Sequence, residues 1–147
     1  MMLTIREAEE KDLSGILALY RQPDMDGKSL TTEQAAPIFE KMQAYPDYSV
    51  YVAERDGDIV GTFTLAVLDN LVHAGAKSAV IEAVVVKSGL QGQGIGKEMM
   101  TRAVALCREK GCYKAVLSSG AKRKKAHQFY EGLGFPVHGI SFLMTLD

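Results

Sequence analysis

Hydrophobic positions change their spacing along the chain, and the changes mark out the elements. Residues 3–8 read as a short strand. After Ala8-Glu9-Glu10-Lys11-Asp12, the apolar positions Leu13, Ile16, Leu17 and Tyr20 fall on one face of a helix. Residues 22–29, with Pro23 and Gly27, form a loop. Thr31-Thr32-Glu33-Gln34 has the form of a capped helix start, Ile38, Phe39 and Met42 supply its apolar stripe, and Tyr45-Pro46-Asp47 ends it. Residues 48–54 and 59–68 are β-rich runs on either side of Asp56-Gly57, a hairpin signal. Residues 78–86 are a nearly all-apolar strand. From 94 to 110 the period becomes helical again, with Ile95, Met99, Ala103, Leu106 and Cys107 on one face and Gly111 as the stop. Residues 113–118 read as a strand, 122–133 as a helix ending at Gly134, and 140–146 as a final strand. The order β-α-α-β-β-β-α-β-α-β, a hairpin half followed by crossovers, predicts an α/β (α+β) fold. Its core is a central twisted mixed sheet flanked by about four helices. No repeat or linker divides the sequence, so residues 1–147 are expected to form a single domain.

Composition narrows the class. With 47% apolar and 24% charged residues over 147 positions, the chain can bury a core without disulfides or a structural metal. No run of eighteen apolar residues is present, and the first residues lack the basic-then-apolar order of a signal peptide. Two cysteines, Cys107 and Cys112, make no disulfide framework and suit a reducing cytoplasm. Three scattered histidines offer no metal-ligand cluster, so no metal is expected. A net charge of −1 argues against a nucleic-acid binder. That balance hides an asymmetry: residues 1–60 hold six basic and twelve acidic side chains, residues 61–147 eleven and six. The difference is either uneven surface decoration or two ligand-facing halves, one for a cation and one for an anion.

The chemistry concentrates where Val84-Val85-Val86 runs into Lys87-Ser88-Gly89-Leu90-Gln91-Gly92-Gln93-Gly94-Ile95-Gly96-Lys97. This is an apolar strand, a loop rich in glycine, and a helix start. The first N–H groups of such a helix lack intrahelical partners and sit at the positive end of its dipole, a setting for phosphate or pyrophosphate. The spacing fits neither a Walker loop, since Gln91 stands five before Gly96 and Glu98 follows Lys97, nor the dinucleotide fingerprint. What fits is Gln91-x-x-Gly94-x-Gly96, the Arg/Gln-x-x-Gly-x-Gly/Ala loop of the GNAT N-acetyltransferases. Ala126-His127-Gln128-Phe129-Tyr130-Glu131-Gly132-Leu133-Gly134-Phe135 resembles that family's late helix and turn, and the order of elements resembles the GNAT fold over almost the whole chain.

The resemblance implies an acetyl-CoA-dependent N-acetyltransferase. Val84, Val85 and Val86 would pair their backbone with the pantetheine arm, and the amides of Gln91, Gly92, Gln93, Gly94, Ile95, Gly96 and Lys97 would hold the pyrophosphate. Ser118 or Ser119 would add a polar contact, with Phe129 and Tyr130 beside the cofactor. Lys122-Arg123-Lys124-Lys125 is either a solvated helix start or a site for an anion, the 3′-phosphate of CoA or an acidic acceptor.

Acetyl transfer to an amine needs a base, because an alkyl ammonium has a pKa near 10.4. Glu82 interrupts Val80-Ile81-Glu82-Ala83-Val84, and strand alternation places it with Val80, Val84 and Val86. It matches the family's fourth-strand glutamate and reads as base, base through water, ammonium anchor or strand-end ion-pair partner. Related amino-sugar-phosphate enzymes show Ile-Glu-Asp here, where this chain has Ala83. Tyr130 is the candidate acid or thiolate stabiliser; the other reading is an aromatic packed on Phe129. Backbone near Val84 or Val85 would meet the oxyanion. The acceptor is expected to be a small-molecule primary amine, with His73 and Arg123 as anion contacts if it carries phosphate; His73 is otherwise a loop residue. A protein or peptide acceptor and a non-catalytic acyl-CoA sensor are the alternatives. The resemblance also implies a homodimer.

Overall fold

A computed structural model of the chain describes residues 2–119 and 121–146. They fall into two compact units, residues 1–116 and 117–147. The first unit carries the sheet. Strand β1 (Leu3–Glu7) leads through a single 3-10 turn (Glu10–Asp12) into helix α1 (Leu13–Tyr20), and helix α2 (Thr32–Gln43) follows. Thr31 caps α2 as its sequence predicts: its hydroxyl accepts from the Gln34 amide at 3.2 Å, and the Gln34 side chain accepts from the Thr31 amide at 3.0 Å. Strands β2 (Tyr48–Arg55) and β3 (Asp58–Leu68) meet at Asp56-Gly57, both with positive φ, the turn that suits the twist of a hairpin. Strand β4 (Lys77–Val86), helix α3 (Ile95–Glu109) and strand β5 (Cys112–Leu117) complete a sheet in the order β1-β2-β3-β4-β5.

The first four strands are antiparallel in register, and the α3 crossover from β4 to its neighbour β5 makes the sheet mixed. Cross-strand pairs share a face, so Val50 and Val52 stand with Thr64 and Thr62, while Tyr51 and Ala53 stand with Phe63 and Gly61. Val50 and Val52 pack into a cluster with Leu13, Ile16 and Leu17 of α1 and Phe39 of α2. The opposite face receives α3. Met99 lies so close to Gly61 that a Cβ there would collide with its sulfur, which is why the middle of β3 carries a glycine. The sheet is therefore sandwiched between α1/α2 and α3, with Val52, Phe63 and Met99 fully buried.

One buried charge anchors this layer. Asp12, 5% exposed, accepts from Arg6 Nη1 and Nη2 at 2.7 and 2.9 Å and from the Glu9 amide at 2.7 Å. Arg6 also donates to Glu54 at 3.0 Å, so one guanidinium ties β1, β2 and the start of α1 together.

In the second unit, helix α4 (Lys124–Gly132) occupies the predicted place. The expected final strand does not form: residues 135–146 take no regular structure, and Ile140, Phe142, Leu143, Met144 and Leu146 are each more than 80% exposed. Apolar alternation sets which side of a strand would be buried, but a strand exists only as a ladder with a neighbour, and the sheet order ends at β5. Among the described residues no helix is long and apolar enough to cross a membrane.

Asp12→Asn should lower stability by about 3 kcal/mol, the low end for breaking a buried pair because Arg6 keeps Glu54 and some solvent. The hydrogen bond from Arg6 holds the Asp12 pKa below the ordinary carboxylate value. Its contribution is therefore complete above that ordinary value and is lost as pH falls through the depressed native one. Urea titrations of both proteins at pH 7 and at pH 3 check this, the gap between them narrowing at pH 3.

Candidate functional site

The site is built on the end of β4. Opposite β3, the register runs Thr62↔Val85 and then Thr64↔Glu82, so β4 spends three steps where β3 spends two. The extra residue is a β-bulge, and Ala83 within it has φ 51°, the left-handed region that a side chain rarely adopts. The bulge corrects the expected facing. Glu82 stands with Val80 and Thr64 on the α1/α2 side, but beyond the bulge it is Val85 that shares this side, while Val84 and Val86 do not. Glu82 and Ala83 are consecutive and both exposed. A carboxylate in an apolar strand is thereby left in solvent, with no desolvation cost.

After Val86 the loop is held by side chains from elsewhere in the unit. Gln22, just past α1, donates from Nε2 to the Val86 carbonyl at 3.2 Å and accepts from the Ser88 amide at 2.8 Å. Gln91 Nε2 reaches the same carbonyl at 3.4 Å, so Val86 O is already engaged by two amides. Arg55, at the end of β2, donates to Gln93 Oε1 at 3.3 Å. Gly94 takes the N-cap position of α3 with φ 87°, which only glycine adopts without strain, and no side chain caps the helix. The amides of Ile95, Gly96 and Lys97 thus begin a fifteen-residue helix with no side-chain acceptor, the arrangement that receives phosphate oxygens.

His73 is placed away from this end. It lies in a single 3-10 turn (His73–Gly75) before β4, with φ 52°, and its ring stacks on Tyr113 of β5 at 3.9 Å between centroids. Lys77, where β4 begins, is about 16 Å along the strand from Glu82. A cavity of about 380 Å³ also lies apart from the loop, lined by Glu7, Phe39, Met42, Tyr48 and Lys110 among others.

In the second unit Ser118 is exposed, whereas the neighbouring Ser119 hydroxyl is buried without a hydrogen-bond partner among the described residues. Lys122, Arg123, Lys124 and Lys125 are exposed at the start of α4. Tyr130 meets Phe129 edge-on at 5.2 Å and Phe135 at 6.3 Å. Burial among these rings raises the Tyr130 pKa above the usual phenol value, and the nearby Arg123 charge partly opposes the rise. The phenol accordingly stays protonated through neutral pH and is a hydrogen-bond donor.

Nothing in the sequence marks out the contacts of Gln22 and Arg55. Gln22 opens a loop and Arg55 closes a strand, and neither position carries a periodic signal; only the fold brings them to the glycine loop, across 64 and 38 positions of sequence.

The chain matches the model of the acetyltransferase (GNAT) family over residues 9–135. It is 33% identical to the glucosamine 6-phosphate N-acetyltransferase of Trypanosoma brucei brucei over 144 residues, covering 92% of this chain and 90% of that protein. It is 27% identical to the aminoalkylphosphonate N-acetyltransferase of Salmonella typhimurium over 145 residues, covering 97% and 90%. In structure it resembles a putative acetyltransferase from Agrobacterium tumefaciens with a TM-score of 0.92 at 33% identity, covering 97% of this chain and 99% of that one. The strand, bulge, glycine loop and helix thus stand in a chain that belongs to the GNAT family of acetyltransferases.

Proposed function

We propose that this enzyme, acting as a single domain, transfers acetyl from acetyl-CoA to the primary amine of a small molecule bearing a phosphate or phosphonate. The observation that carries the reading is the solvent-exposed carboxylate of Glu82 on a bulged strand that leads, through the glycine loop, to an uncapped helix start. The amides of 91–97 receive the pyrophosphate, and the backbone of Val84 and Val85 pairs with the pantetheine arm. Val86 contributes less, its carbonyl being occupied by Gln22 and Gln91. Ser119, with its buried and unpartnered hydroxyl, suits the polar contact better than exposed Ser118.

Glu82, directly or through water, takes the proton from the acceptor ammonium; the free amine attacks the thioester carbonyl, the C–S bond breaks to release the CoA thiolate, and the second proton on the nitrogen leaves to that thiolate or to solvent as the amide forms. Tyr130 serves that thiolate. With its pKa raised by burial, full proton donation from the phenol to a thiolate is further uphill, so a hydrogen bond is the role it fits. The named relatives that act on glucosamine 6-phosphate and on aminoalkylphosphonates support an amine that carries an anion, with Arg123 as its contact. His73, stacked on Tyr113, suits a structural place better than an anion contact. Both cysteines are free thiols, in keeping with a cytoplasmic enzyme. The exposed apolar side chains of 137–146 favour a homodimer in which they are covered by a second copy.

CoA release measured across glucosamine 6-phosphate, aminoalkylphosphonates, polyamines, amino acids and peptides tests the acceptor class. Turnover is expected with the phosphate- or phosphonate-bearing amines, and Arg123→Ala should raise KM for them. Turnover on peptides alone would overturn the reading. Glu82→Gln and Tyr130→Phe should each lower kcat about 10²-fold or more. Gln22→Ala frees the loop and should weaken acetyl-CoA binding about tenfold by calorimetry, the loss of two hydrogen bonds that hold the site in shape.

A further inference from the structure

The bulge that turns Glu82 toward the α1/α2 side gives it a polar neighbour that the sequence pattern does not announce. Thr64 is its cross-strand partner on the same face, and such pairs bring Cβ atoms to about 5 Å of each other. Thr64 is 6% exposed and Thr62 fully buried, two hydroxyls on a sheet face that is otherwise apolar where α1 covers it. The two threonines are not equivalent. Thr62 Oγ1 donates its proton to the Tyr51 carbonyl of β2 at 2.7 Å, so it is satisfied within the sheet. Tyr20, the last residue of α1, packs on the cluster formed around Val50 and Val52, which flank the same threonines across the β2–β3 ladder. Its phenol interacts with both threonine hydroxyls, and burial keeps it protonated. A threonine hydroxyl rotates to suit its acceptor, so the Thr64 proton can be given to an oxygen on β4.

We propose that Thr64 is a positioning residue for acetyl transfer: its hydroxyl donates to the carboxylate of Glu82, its cross-strand partner, and fixes the rotamer in which that carboxylate meets the acceptor amine. The inference rests on the assignment of Glu82 as the group that receives the amine proton. An exposed glutamate on a strand has several rotamers of similar energy, and a base is effective only in the one that reaches the proton. One donor from the rigid middle of β3 selects among them, and it does so without adding a second charge. The same contact explains why the bulge falls after Glu82. Had the extra residue come before it, Glu82 would stand on the α3 face, opposite Leu65 and out of reach of Thr64.

The test is a double-mutant cycle with steady-state kinetics on the best acceptor from the CoA-release screen. Thr64→Val keeps the shape and the β-branch but removes the donor; it should lower kcat about tenfold, with the acetyl-CoA dissociation constant and thermal unfolding midpoint near those of the parent. Thr64→Ser restores the donor and should recover most of the rate. In a Glu82→Gln background Thr64→Val should cost nothing further, because its effect passes through the carboxylate. A Thr64→Val protein with parental kcat beside an impaired Glu82→Gln would overturn the positioning role and leave Glu82 in place. Equal losses from Thr64→Val in both backgrounds would reduce Thr64 to packing. A Glu82→Gln enzyme with parental kcat would remove the role of Glu82, and that of Thr64 with it.

Discussion

One extra residue in β4 decides which face of the sheet Glu82 occupies. A strand repeats every two residues, so a single insertion moves each later side chain to the opposite face. Before Ala83 the strand obeys one alternation, and after it the other. The consequence is that Glu82 shares a face with Val85 and Thr64, and that it is exposed together with its neighbour. The arrangement carries backbone strain, since Ala83 is a non-glycine residue with left-handed φ.

Helix α1 links the core of the sheet to the glycine loop. Its start is fixed by the Asp12 carboxylate in the grip of Arg6, and its middle packs on Val50 and Val52. Tyr20 ends it above the Thr62–Thr64 hydroxyls, and Gln22 continues it into two hydrogen bonds at the end of β4. Eight helical residues thereby set the relation between the sheet, the glutamate and the glycine loop. Loops that hold ligands usually carry their own mobility; here the segment that must present its amides is pinned on a rigid helix end, so less ordering is left to be done when a ligand arrives.

The charge asymmetry acquires a different meaning. Several of the acidic residues in the first sixty are committed within the fold: Asp12 to Arg6, Glu54 to the same guanidinium, Asp47 to Lys110 at 3.0 Å, and Glu7 to the hydroxyl of Ser49. Their number is a weak argument for a cationic acceptor. The carboxylate proposed to meet the amine, Glu82, lies outside that acidic half.

The sequence by itself determined the element order as far as α4, the cap at Thr31, the turn at Asp56-Gly57, the glycine loop before α3 and the family to which these belong. Each is a local matter: a few adjacent residues decide a backbone conformation, and periodicity decides which face is apolar. Three things lay beyond its reach. The facing of Glu82 depended on a register that is agreed between two strands, so a bulge in one is invisible in the alternation of either. The contacts of Gln22, Arg55 and Thr64 depended on residues tens of positions away, where polar side chains leave no periodic trace. The expected last strand, 140–146, had the right alternation and no ladder, because pairing requires a neighbour that a segment cannot supply for itself. Local conformation is written residue by residue; which side of the sheet a reactive group faces, and what holds it there, is decided only when the chain has closed on itself.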